Sequence, residues 1–167
     1  MILEQKTLSP TEKILFFPTP IPLIGTFFSA DSSAFELIEN LKSTTLAKTI
    51  LLTKDFIYLQ AINSQSLEDL YLIAISELED FISQKTSHIA TSENLETKIK
   101  LILKLIIAPF LNKDGGDIEF HSVQDDTVFV KFLGKCNGCP YATRTLKERV
   151  EKNLTSYIPE IKKASLV

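Results

Sequence analysis

Gly134-Lys135-Cys136-Asn137-Gly138-Cys139-Pro140 holds the only two cysteines of the 167-residue chain, and it constrains the fold around it. The run before it, Thr127 to Leu133, places Val128, Val130 and Phe132 on one face, as a strand does. The run after it, Tyr141 to Leu154, returns Ala142, Leu146, Val150 and Leu154 at helical spacing. The cysteines therefore sit at a strand-to-helix turn. Pro140 suits the first turn of a helix, where its missing N–H has no intrahelical partner. Cys139 is then expected at the helix N-cap, facing free backbone N–H groups and the positive end of the dipole. That position, with Lys135 beside Cys136, favours thiolate over thiol. Gly134 and Gly138 allow a tight turn and leave room for something bulky near the sulfurs.

Two thiolates at this spacing leave four readings. A disulfide would close a very short loop, and disulfides are rare in reducing compartments. A dithiol redox site of thioredoxin type fits the spacing, though not the surrounding pattern. A structural zinc ion needs four ligands, and the loop offers two. An iron–sulfur cluster also needs about four thiolates, which is two from each of two chains. Spacing alone does not rank the cluster above the redox pair.

The rest of the chain narrows the setting. No apolar run is long enough to span a bilayer; the longest, Ile99 to Phe110, is interrupted by Lys100 and Lys104. The first residues lack a signal-peptide core and the arginine-rich character of a transit peptide, so a soluble, cytoplasmic protein without a membrane partner is expected. A net charge of −3 argues against nucleic acid as a partner. The charge is uneven: residues 1–85 carry six lysines against eleven acids, and the remainder ten lysines and two arginines against ten acids. The cysteine-bearing half is the mildly basic one.

The pattern predicts an α+β protein of two small α+β domains, residues 1–84 and 93–167, joined by a short polar linker over 85–92. Met1 to Ser9 is expected to be loose. Glu12 to Phe17 reads as a strand, followed by the donor-less Pro18, Pro20 and Pro22 and a further extended piece from Gly25 to Phe28. Ser33 and Glu36 have capping-box spacing ahead of a short helix over Ala34 to Leu41. Leu46–Leu52 and Phe56–Ala61 form a hairpin. Ser66 is expected to cap a long helix in which Leu67, Leu70, Tyr71, Ile73, Ala74, Leu78, Phe81 and Ile82 recur at helical spacing. In the second half, Ser92 is expected to cap a helix over Leu95 to Leu111 with Leu95, Ile99, Ile102, Leu103, Ile106 and Phe110 on its apolar face. Pro109 should kink or end it. Asp114-Gly115-Gly116-Asp117 stops that helix. A phosphate loop there is disfavoured by the flanking acids and the missing Lys-Ser/Thr pair. Ile118–Val123 and Thr127–Leu133 form a second hairpin, and Ile161 to Val167 adds a last strand.

Nothing resembles a catalytic acid–base pair, and no serine has a nucleophile-elbow context. His121 falls on the strand face opposite Ile118 and Phe120, a surface or rim position. His88 falls in the linker. Arg144 and Arg149 read either as solvated surface or as guides for an acidic partner.

Taken together, Pro109 to Asp117, Gly134 to Pro140, Thr143-Arg144-Thr145-Leu146-Lys147 and Ile158-Pro159-Glu160 resemble the C-terminal domain of NifU and the Nfu iron–sulfur carriers. The first half resembles the Nfu N-terminal domain more loosely, through Phe16-Phe17 and the prolines, Phe28 to Ala34, and Lys54 to Ile57. Members usually open on a T-P-N-P-N-like turn; here the position reads Leu8-Ser9-Pro10-Thr11-Glu12-Lys13. The resemblance implies that Cys136 and Cys139 are the metal ligands and that two chains share one [4Fe-4S] cluster as a homodimer. It implies receipt of the cluster from an upstream iron–sulfur scaffold and delivery to apo iron–sulfur proteins, without enzymatic turnover. The competing function is a dithiol–disulfide oxidoreductase.

Overall fold

The computed structural model describes residues 4–29, 36–83, 88–89 and 93–167. The chain is α+β and divides into two compact units, Met1–Glu93 and Asn94–Val167.

In the first unit, β1 (Glu4–Ser9), β2 (Glu12–Phe16), β4 (Phe27–Phe28), β5 (Ala47–Leu52) and β6 (Phe56–Ala61) form a sheet in the order β1-β2-β6-β5-β4. β1 corrects the expectation of a loose start. Its residues are mostly exposed, so it carries no apolar periodicity, and it is held by antiparallel pairing with β2 across the turn at Pro10. The hairpin of β5 and β6 forms as expected. Helices α1 (Glu36–Ser43) and α2 (Ser66–Ser83) pack on the sheet through Leu37, Ile38, Leu41, Leu70, Ala74, Leu78 and Phe81. The first turn of α2 is closed by Asn63, whose Oδ1 accepts from the Ser66 N–H at 2.9 Å, and not by Ser66 itself. Ser33 and Ser92, read as caps, lie outside the described residues. β3 (Leu23–Ile24) pairs in parallel with β7 (His88–Ile89), two residues of the stretch read as linker.

In the second unit a three-stranded sheet runs β10-β9-β8, with β8 (Gly116–Gln124) antiparallel and β10 (Lys163–Leu166) parallel to β9 (Thr127–Gly134). Two helical arms cover one face. The first is α3 (Leu95–Ile102), a π turn (Leu103–Ile107) and α4 (Ala108–Asn112). The second is α5 (Ala142–Thr145), a π turn (Leu146–Glu151) and α6 (Lys152–Tyr157).

Pro109 does not end the first arm, which runs on to Asn112. It has no N–H to offer the carbonyl four residues back, and the arm widens just ahead of it: the Ala108 N–H donates to the Leu103 carbonyl, five residues back. The wider turn shifts the buried stripe by one residue. Ile107 and Leu111 are buried where Ile106 and Phe110 were expected, and Phe110 is left 39% exposed. In the second arm Leu146, Val150 and Leu154 are buried as expected, as are Val128, Val130 and Phe132 of the sheet; Ala142 is only half-buried.

Candidate metal centre

The hairpin register explains why two motifs some twenty residues apart form one site. Gly116 at the start of β8 pairs with Gly134 at the end of β9. Antiparallel strands bring the entry of one beside the exit of the other, so the Asp114–Asp117 turn lies against the cysteine loop. The Lys135 N–H donates to the Gly115 carbonyl at 3.1 Å and ties the two turns together. Gly134 has φ +57, and a Cβ there would stand 2.5 Å from the Gly115 oxygen. Only glycine allows that approach.

Beyond Gly134 the chain makes a series of tight turns. The Cys136 N–H donates to the Leu133 carbonyl, the Asn137 N–H to Gly134, the Cys139 N–H to Cys136 and the Ala142 N–H to Cys139, at 3.0 to 3.4 Å. The helix begins at Ala142 with Tyr141 at its N-cap. Cys139 is therefore two residues short of the N-cap expected for it. The physical reason is Gly138, whose φ of +73 lies in the left-handed region and keeps the chain turning for longer before helical dihedrals set in.

Both cysteines are free and half-buried. The Cys136 Sγ occupies the space that a side chain at position 116 would need: a Cβ on Gly116 would lie 2.0 Å from it. Sequence reasoning treated Gly116 as part of a helix stop; its second role is to seat a sulfur. The signal available was the doubled glycine, since one is enough to end a helix. Cys136 also lines a shallow recess of about 80 Å³, together with Phe132, Asn137, Ala142, Leu166 and Val167 among others. It has room for a few waters only.

The electrostatics of Cys136 run opposite to the expected thiolate. Its pKa is raised, first by burial, then by Cys139, and then by the carboxylates of Asp114 and Asp117. Lys135 does not offset them; its stem lies over Gly115, 3.2 Å from the position of a Cβ there. In the metal-free protein Cys136 therefore holds its proton to higher pH than an ordinary thiol, and a metal must displace that proton to bind. The sign follows directly. Below the raised pKa the thiolate fraction is small, and removing a nearby carboxylate increases it. Alkylation of metal-free protein by iodoacetamide at pH 7.5 should be slower at Cys136 than for an unperturbed cysteine, and Asp114→Asn should speed it. Mass spectrometry of Cys139→Ala protein, with Cys136 as its sole thiol, checks both.

His121 is exposed on β8, at the irregularity where the pairing register shifts between Phe120 and Ser122. The strand carries it towards the end of the hairpin remote from Gly116. Among the described residues, no group of three or more His, Cys, Asp and Glu side chains could hold a metal ion. One chain brings two thiols to this site. Arg144 and Arg149 are engaged at the surface: the Arg144 Nε lies 3.1 Å from both Glu148 carboxylate oxygens, and the Arg149 guanidinium lies 4.2 Å from the centroid of the Phe110 ring. Among the described residues, no helix is long and apolar enough to cross a membrane.

The second unit thus sets a two-cysteine turn against a glycine pair, on a three-stranded sheet covered by two helical arms. Residues 99–164 match the NifU-like domain, all of them within that unit. Similar proteins include the Fe/S biogenesis protein NfuA of Buchnera aphidicola, 44% identical over 73 residues. They also include NifU-like protein 2, chloroplastic, of Arabidopsis thaliana, 38% identical over 71 residues. The NFU1 iron-sulfur cluster scaffold homolog, mitochondrial, of Drosophila persimilis is 41% identical over 69 residues. These alignments cover 43%, 42% and 41% of this chain and 38%, 28% and 24% of the respective relatives, so the chain matches well under half the length of each.

Proposed function

We propose that this chain is an iron–sulfur cluster carrier. Two copies would hold one [4Fe-4S] cluster through Cys136 and Cys139 of each, take it from an upstream scaffold and hand it to apo iron–sulfur proteins. The single observation that carries this reading is the pair of half-buried free thiols on an open turn, with no third ligand beside them among the described residues. A cluster requires about four thiolates, so a site of this kind is half of one, and binding is linked to association of two chains. The names of the relatives, an Fe/S biogenesis protein and an iron-sulfur cluster scaffold homolog, support the same cargo.

The open turn also suits transfer rather than storage. A recipient thiolate can approach a cluster lying over the loop and replace the carrier's cysteines one at a time. The chain's own part is to present two sulfurs at a fixed spacing and to release them. We place no catalytic residue in this scheme. Residues 1–84, on this reading an Nfu N-terminal-like domain, contribute partner choice or dimer geometry, and the protein acts in the cytoplasm. The dithiol–disulfide oxidoreductase is the competing reading, and alanine variants of the two cysteines separate it from the carrier.

Metal and acid-labile sulfide content after anaerobic purification, measured with solution mass, tests the proposal. About two iron and two sulfide per chain, in a dimer that separates on iron chelation, is the expected result. Zinc in their place, or a metal-free monomer whose cysteines cycle between thiol and disulfide, would sink it.

A further inference from the structure

Beside the thiols the second unit leaves a groove of about 260 Å³, lined by Phe110, Asp114, Tyr141, Arg144, Glu148 and Arg149 with Thr145. Its position follows from the chain. Tyr141 is two residues past Cys139, and Asp114 precedes the glycine whose carbonyl accepts from Lys135. Its surface is unusual for a solvated face: Tyr141 is 68% exposed, and Phe110 is turned outward by the π turn ahead of Pro109. The polar groups are already ordered, with Arg149 stacked on Phe110 and Arg144 forked onto Glu148. Tyrosine, arginine and phenylalanine held in place in this way are the composition of a protein contact rather than of a bare surface.

The charge of the groove narrows its occupant. Two arginines and two carboxylates leave it balanced, with both signs present. A partner selected for acidity would find Asp114 and Glu148 opposing it. A two-fold contact pairs a patch with itself, so a patch of one sign repels its copy, whereas a patch whose charges balance within the chain does not. The thiols next to the groove are incomplete without a second pair.

We propose that this groove is the protein contact through which a second copy of the chain docks, with Tyr141 as its anchor, so that four thiols converge over one cluster. The proposal rests on the carrier reading and adds to it a surface that holds the dimer besides the metal–sulfur bonds.

The test uses the full chain, loaded anaerobically with ferrous iron and sulfide and followed by sedimentation over a concentration series. Tyr141→Asp should raise the dissociation constant of the loaded dimer about thirtyfold or more, while Tyr141→Phe, which keeps the ring, should leave it near wild type. Arg144→Glu should weaken the dimer too, since it leaves the groove with one arginine against three carboxylates. It keeps the test open if the first variant misfolds. A wild type that takes up no iron and sulfide sinks the carrier reading and this inference with it. A wild type that loads and dimerises, with Tyr141→Asp doing so equally well, sinks the inference alone. So does a Tyr141→Asp protein that dimerises normally but delivers its cluster slowly to an apo four-iron protein, which would give the groove to the recipient.

Discussion

Cys136→Ala protein purified without oxygen should contain essentially no iron or sulfide, and Cys139→Ala should be equally empty. The equality is the informative part. A cluster bridged by two chains loses two of about four ligands when either position is replaced, because the change is made in both copies. A dithiol oxidoreductase behaves asymmetrically: one alanine variant traps a mixed disulfide with substrate and the other does nothing. Folding should be nearly untouched. Both side chains are half-buried, and replacing such a side chain costs about 1 kcal/mol or less. Urea denaturation of the metal-free proteins checks that the loss of metal is not a loss of fold. Retention of wild-type iron by either variant would remove that cysteine from the site.

Gly116→Ala should have an effect nearly as large, although it removes no ligand. The new Cβ would lie 2.0 Å from the Cys136 Sγ, where ordinary contact begins at 3.4 Å, so the sulfur must move by well over an ångström. Binding sites of this kind tolerate displacements of roughly 0.5 Å. Loading should therefore fail or fall severalfold while the thiol count stays at two per chain, as a colorimetric thiol assay would show. Overpacking of this sort also costs about 1–3 kcal/mol of stability. The double variant Gly116→Ala/Cys136→Ala separates the two effects. With the sulfur gone much of the clash is relieved, so stability should recover while loading stays absent, a non-additive pair. Wild-type loading by Gly116→Ala would mean that the sulfur can be seated elsewhere, and Gly116 would return to being only part of a turn.

Much of this protein is determined by its sequence alone, wherever the determining interaction is local. The α+β class, the hairpins of β5 with β6 and β8 with β9, the long helix α2 and the strand-to-helix setting of Cys136 and Cys139 follow from apolar periodicity and turn residues, which act within a few positions. The pairing of Asp114–Asp117 with the cysteine loop was present as two motifs but not as one site. Only the register Gly116 to Gly134 makes them neighbours. What tertiary structure alone decided is of three kinds. β1 is held by cross-strand hydrogen bonds that leave no mark in its exposed, mixed side chains. Phe110 faces outward because a π turn just ahead of Pro109 moves the buried stripe to Ile107 and Leu111. Cys136 is held towards the thiol because burial, then Cys139, then two carboxylates reached through the fold all raise its pKa, whatever the lysine adjacent in sequence suggests. Periodicity and neighbour charge are properties of a segment; burial, register and the field at a sulfur depend on what the rest of the chain places around it.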